Sequence, residues 1–110
     1  MKYGAHDIGG TVVKKDDRYT VKDNTELENL IVSSTDLKPG KSTSGHRHEG
    51  QEEVYFFIRG TGRMELDADH FNVYEGDTVL IKDGVFHRVH NTSEDNLYFI
   101  CVFDGKRNNE

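Results

Sequence analysis

The chain has 110 residues, of which 34% are apolar and 31% charged, and its formal net charge is −6. That length favours a single domain over residues 1–110, with a compact core under a largely polar surface. An acidic surface repels phosphate backbones, and no basic run suggests a membrane surface, so neither nucleic acid nor membrane is expected among its partners.

No apolar run approaches the length of a membrane span, and the opening MKYGAHDIGG carries no apolar signal segment. The one cysteine, Cys101, excludes an internal disulfide framework and fits a reducing compartment. A cytoplasmic location is expected. In that setting the sequon Asn91-Thr92-Ser93 reads as a coincidence.

In chain order, GTVV and RYTV open a series of strand signals. Thr25 to Leu30 is the best helical candidate, but it is too short to stand as a helix. ENLIVSSTDL follows, then the turn-rich KPGKSTSG, then EVYFFI. The turns RGTG, DADH, YEGD, KDG and NTSED separate the later strands GRMELD, FNVY, DTVLI, FHRVH and NLYFICVF. Many short strands at close spacing point to an all-β sandwich or barrel. The polar tail, residues 104–110, is expected to fray.

Strand alternation puts Glu53, Tyr55 and Phe57 on one face of EEVYFFI, and Glu52, Val54, Phe56 and Ile58 on the other. Both sets are apolar beyond the glutamates, which predicts burial on both sides. LYFICVF is apolar throughout and is expected to be central, with Cys101 a small buried hydrophobe rather than a nucleophile.

The stretch GHRHEGQEEVYFF, residues 45–57, carries the candidate chemistry. His46 and His48 share a face if the segment is extended. Alone, a His-x-His pair in a polar loop is weak evidence. Its company strengthens it. Five residues separate Gly40 from His46, four separate His48 from Glu53, and six separate Glu53 from Gly60. Gly76, Gly84, His87 and Asn91 form a second set further on. Two imidazoles on one face can reach one ion, and a carboxylate from the next strand, Glu52 or Glu53, supplies an anionic oxygen. A third imidazole from a distant strand joins them only if the sheet folds back on itself. Mixed nitrogen and oxygen ligands suit Fe, Mn, Ni, Co, Cu or Zn. The glycines fit tight turns, where φ is positive or backbones approach closely.

With these residues the chain resembles the cupin superfamily, in its small single-domain (type-2) metalloprotein form. The resemblance implies a jelly-roll β-barrel, the double-stranded β-helix. The first motif reads Gly40, His46, His48, Glu53 and Gly60, over residues 40–60. The second, residues 76–91, reads Gly76-DTVLI-Lys82-Asp83-Gly84-VF-His87-RVH-Asn91, and 15 residues, 61–75, lie between. Lys82 stands where the family usually has proline, which bears on the rigidity of that turn. The resemblance implies that His46, His48, Glu53 and His87 bind one divalent transition metal. Glu53 is preferred to Glu52 for its distance to Gly60 and for the face it shares with Tyr55 and Phe57. Four protein ligands would leave tetrahedral Zn²⁺ no open position, whereas an octahedral ion keeps two, so Fe, Mn, Ni or Co is favoured and Zn is possible.

The other candidates weigh less. His90 falls on the face opposite His87 and is expected to be exposed, as is His70 beside LDAD; His6 has no assigned place. Glu53 and Tyr55 are the candidate catalytic residues, with Tyr55 and Phe57 either lining a pocket or serving the core. Arg63 and Lys82 are candidates for meeting an anionic substrate, although isolated basic residues are most often solvated. Gly60-Thr61-Gly62 lacks a third glycine and a following helix, and reads as a turn.

One barrel carries many activities, so fold alone does not decide function. The runs EEVYFFIRGTGRMELD and FHRVHNTSEDNLYF resemble the small cupin sugar-phosphate isomerases. That implies a metal-dependent isomerase or epimerase acting on a sugar or sugar derivative, although no Lys, Arg and Ser cluster for a phosphate is visible. The three-histidine, one-glutamate set also resembles the iron-dependent cupin dioxygenases, and a non-catalytic cupin that binds a small ligand is the third reading. An enzyme is favoured, because a four-ligand site inside a barrel exceeds what a structural staple needs. The resemblance further implies a homodimer, with the strands of residues 8–37 as candidates for a shared or exchanged edge.

Overall fold

The computed structural model describes residues 1–105. It has nine strands, and no helix occurs among the described residues. They are β1 (Thr11–Lys15), β2 (Tyr19–Asn24), β3 (Leu30–Leu37), β4 (Glu53–Arg59), β5 (Gly62–Leu66), β6 (Asp69–Val73), β7 (Thr78–Ile81), β8 (His87–His90) and β9 (Leu97–Asp104). A six-stranded sheet runs β1-β2-β3-β9-β4-β7, and a three-stranded sheet runs β6-β5-β8, all by antiparallel pairing. The segment around Ser42 to His46 extends the smaller sheet beyond β8 through bridges from Ser42 to His90 and from His46 to His87. The all-β architecture expected from the strand spacing is thus present, in the jelly-roll form that the resemblance implies.

Period-two alternation builds the core. Tyr19 and Val21 from β2, Ile31 and Leu37 from β3, Tyr55 and Phe57 from β4, and Phe99 and Phe103 from β9 turn inward from the larger sheet. Met64 and Val89 meet them from the smaller one. β9 lies between β3 and β4, so its continuous apolar run occupies the central position that its composition predicts.

β4 corrects one expectation. Its inner residues Glu53, Tyr55 and Phe57 are buried, but Val54 and Ile58 are only partly covered and Phe56 is 37% exposed. The smaller sheet covers one face of the larger sheet; on the other face the N-terminal segment reaches Tyr98 through His6, while the stretch around Phe56 and Leu80 stays exposed. Fraying of the tail also needs correction at its start. Asp104 closes β9, and the Gly105 N–H donates to the Asn29 carbonyl at 2.8 Å. The rest of that tail lies outside the described residues. The expected DADH turn shrinks to Asp67-Ala68, because Asp69 and His70 already pair in β6.

Two of the glycines required by geometry bear on the site and its sheet. Gly60 has φ +92°, and a Cβ there would lie 2.6 Å from the Asn96 carbonyl oxygen. Gly45 has φ +82°, and a Cβ there would lie 2.7 Å from the Phe86 ring. Gly45 is therefore the residue that lets the chain press against β8 immediately before His46.

Candidate metal centre

His46 and His87 face each other across a narrow antiparallel bridge. The His46 N–H donates to the His87 carbonyl at 3.0 Å, and the His87 N–H donates back at 2.9 Å. This exchange fixes the first imidazole beside the last one, although 40 residues separate them in sequence. The ring centroids of His46, His48 and His87 form a nearly equilateral triangle, with separations of 5.4, 5.6 and 5.6 Å. Glu53, the first residue of β4, points at the same place. Its Oε1 lies 3.4 Å from His48 Nε2 and 3.5 Å from His87 Nε2. His48, Glu53 and His87 each place one ligand atom within 4.8 Å of the others, and His46 joins this cluster by its ring.

The surroundings orient the donors. His87 is 2% exposed, and its Nδ1 lies 3.2 Å from the Val85 carbonyl oxygen. A carbonyl can only accept, so Nδ1 carries the proton and the Nε2 lone pair is directed at Glu53. This is the usual device by which a ligating imidazole is held. Tyr55 packs edge-on against His87 at 5.7 Å and stacks on Phe99 at 5.3 Å. The His48 loop is pinned to the turn that carries Lys82. The Gly84 N–H donates to the His48 carbonyl at 3.0 Å, the Gly50 N–H to Asp83 Oδ1 at 2.7 Å, and Arg47 to the Gly84 carbonyl at 2.6 Å. These bonds hold the turn without the family's proline.

The cluster sits in a cavity of about 600 Å³, counted out to its open mouth. Lys14, Tyr19, Ser33 and Thr35, from the inner faces of β1 to β3, line it across from the rings. Sequence reasoning missed these. The available signal was the polar pair Ser33 and Thr35 at period two inside an apolar strand, both of them buried. Tyr55 lines the cavity, whereas Phe57 belongs to the core beneath it. Cys101 is buried as expected and also lines the cavity.

Residues outside the cavity are equally clear. Glu52 is exposed on the outer face beside Lys82, so Glu53 is the carboxylate that reaches the rings. Arg63 is exposed on the outer face of the smaller sheet. His70 is exposed, and His6 stacks on Tyr98 at 5.5 Å. His90 departs from expectation. It lies on the face opposite His87, but it is only half-exposed and is hydrogen-bonded at both ring nitrogens.

A jelly-roll barrel with an imidazole and carboxylate cluster at the end of its cavity defines a class of small barrels built to hold a metal and a small ligand. The chain belongs to the cupin family: the family model described as "Cupin domain" matches residues 33–103, more than half of it. An uncharacterised protein of Methanocaldococcus jannaschii is 36% identical over 62 residues, covering 56% of this chain and 50% of that protein. The "oxalate-binding protein" of Thermotoga maritima is 32% identical over 66 residues, covering 60% of this chain and 54% of that protein. The chain thus spans about half the length of these two relatives. Among solved structures, KdgF from Halomonas sp. superposes with a TM-score of 0.78 at 16% identity, covering 88% of this chain and 89% of that one. An oxalate decarboxylase superposes with a TM-score of 0.79 at 19% identity, covering 90% of this chain but only 29% of that one. At these identities the structural matches establish the fold.

Proposed function

We propose that this cupin binds one divalent transition metal through His46, His48, Glu53 and His87. We propose further that it acts on a small oxygen-rich molecule, as an isomerase or epimerase of a sugar or sugar derivative. The observation that carries the reading is the convergence of three rings and one carboxylate on one point of a cavity whose far wall bears hydroxyls. The donor set fits Fe, Mn, Ni or Co, because four protein ligands would close a tetrahedral Zn²⁺ site. When bound, such an ion supplies Lewis-acid polarisation of a carbonyl and hydroxyl pair. Tyr19, Ser33 and Thr35 offer hydrogen bonds to a polyhydroxylated ligand. A carboxylate or water moves the proton, Glu53 taking that part when it is not tightly bound to the ion, and Tyr55, against His87, forms the wall that orients the substrate.

Protein expressed with ample metal should hold about one ion per chain, and His87→Ala should lose most of it. Given sugar candidates in deuterated solvent, isomer exchange without oxygen uptake supports the proposal. Oxygen uptake with Fe(II) replaces it with a dioxygenase. A second reading, binding of a small dicarboxylate without turnover, is favoured by the Thermotoga maritima relative named for oxalate. Saturable oxalate binding by calorimetry, with no turnover across the panel, would establish it.

We also infer a homodimer. Val54 pairs with both Leu80 and Val102, and Phe56 with Ile100, on the outer face of the larger sheet, where Leu80 is 72% exposed. β1 lies at an edge of that sheet and remains the candidate for a shared edge. A monomer by light scattering at micromolar concentration would remove this inference.

A further inference from the structure

The outer face of the smaller sheet carries a hydrogen-bonded chain that the metal centre does not use. Ser42 and His90 face each other as a bridge flanked by two backbone bonds, Asn91 N–H to the Lys41 carbonyl at 2.8 Å and Thr43 N–H to the Val89 carbonyl at 2.9 Å. In such a pair the side chains stand close together. Ser42 Oγ lies 2.6 Å from His90 Nδ1, and His90 Nε2 lies 2.5 Å from Glu65 Oε1. The His90 hydrogen bond, outweighing partial burial, holds the Glu65 carboxyl below its ordinary range, so Glu65 is an acceptor. The polarity of the chain follows. Nε2 donates to Glu65, Nδ1 is left as an acceptor, and the Ser42 hydroxyl donates to it.

We propose that Ser42, His90 and Glu65 form a second, metal-independent site: a nucleophile, base and carboxylate relay that cleaves small carboxylic esters. The hydrogen-bond order is that of an activated serine, read from geometry rather than from position in the chain. An open groove of about 820 Å³, counted out to solvent, runs beside the relay and is lined also by Arg63, His70 and Thr92. Arg63 is the residue opposite His90 on β5 and lines the same groove, so it is the cation available to a developing oxyanion. The Ser42 N–H, directed away from β8 by the bridge, has no hydrogen-bond partner among the described residues and is a second donor.

Ser42 Oγ attacks the ester carbonyl carbon as its proton passes to His90 Nδ1, and Glu65 stabilises the imidazolium through Nε2. The tetrahedral intermediate collapses, the carbon–oxygen bond to the alcohol breaks, and His90 returns the proton to the leaving alkoxide. Water then attacks acyl-Ser42 as His90 takes its proton. The acid leaves and Ser42 regains its hydrogen. One ester and one water give one acid and one alcohol. The His90 and Glu65 side chains are 26% and 22% exposed, so the relay is screened by solvent, and acylation is expected to outpace deacylation where the ester carries an activated leaving group.

The test uses the whole chain, metal-loaded and chelator-treated, with p-nitrophenyl acetate. A burst of p-nitrophenolate and an acetyl adduct mapped to the Ser42 peptide are expected in both forms. Ser42→Ala and His90→Ala should each lower the burst rate by about 100-fold or more. His6→Ala, whose ring stacks on Tyr98 of the larger sheet away from the groove, should leave it unchanged. Glu65→Gln should lower kcat with KM retained, and Glu65→Asp should recover part of the loss. Acetylation confined to lysines, or an equal rate in Ser42→Ala, would overturn the proposal. Adduct mapping on the unmutated chain decides the matter even if a variant fails to fold.

Discussion

Glu53→Gln keeps the shape of a side chain and removes its charge. Glu53 is 9% exposed, and its Oε1 stands 3.4 and 3.5 Å from the Nε2 atoms of His48 and His87. An ion seated among these rings would lose its one anionic donor. A ligand that binds only the folded state stabilises it by RT ln(1 + [L]/Kd), about 2.7 kcal/mol at a concentration about 100 times Kd. In a domain of this size about 1 kcal/mol moves Tm by about 4 °C, so saturating metal should raise the unmutated protein by about 10 °C. Losing the carboxylate should weaken binding by about 100-fold or more, judged from the cost of removing even outer partners. At the same metal concentration about 0.4 kcal/mol then remains, a shift below about 2 °C. Calorimetry of chelator-treated protein, with and without added metal, measures both. An undiminished shift in Glu53→Gln would refute the claim that Glu53 is a ligand.

Three further outcomes are expected. Gly60→Ala meets both a positive φ of +92° and a carbonyl 2.6 Å from the new Cβ. It should lower the urea midpoint by the equivalent of about 2 kcal/mol or more with an unaltered m value, and an unmoved midpoint would contradict the strain argument. Asn91 is 2% exposed and donates to the carbonyls of Leu37 at 2.9 Å and Asp95 at 2.7 Å. Asn91→Ala should cost about 2–4 kcal/mol in denaturant titration while leaving metal stoichiometry intact; lost metal would show that Asn91 serves the site directly. The hydrogen bonds from the Arg18 guanidinium and N–H lower the Asp16 carboxyl from 3.8 to about 2. A depressed folded value means that its contribution is present above the ordinary value and fades as pH falls toward 2. Asp16→Asn should therefore flatten the acid limb of stability in that window, and coincident limbs would sink the assignment.

Much of the fold was written in local pattern. The signals RYTV, ENLIVSSTDL and NLYFICVF fall on β2, β3 and β9, because β-branched and aromatic residues bounded by turn chemistry form a local pattern. EVYFFI misled because composition alone cannot distinguish a strand covered on both faces from one whose outer apolar face the described residues leave partly open. His90 misled for a related reason. Alternation correctly turned it away from His87, but its partners Ser42 and Glu65 lie 48 and 25 residues away and belong to different strands.

The order of residues by itself determined the strand series, the turn glycines and the kinds of donor available: imidazole and carboxylate at motif spacing. Only the tertiary structure decided that the His46 backbone pairs with that of His87 and that Ser33 and Thr35 form the opposite wall, and it bears out the preference for Glu53 over Glu52. The physical reason is that side-chain direction along a strand is a local property. Which strands close upon one another is settled by burial and backbone pairing between segments far apart in the chain.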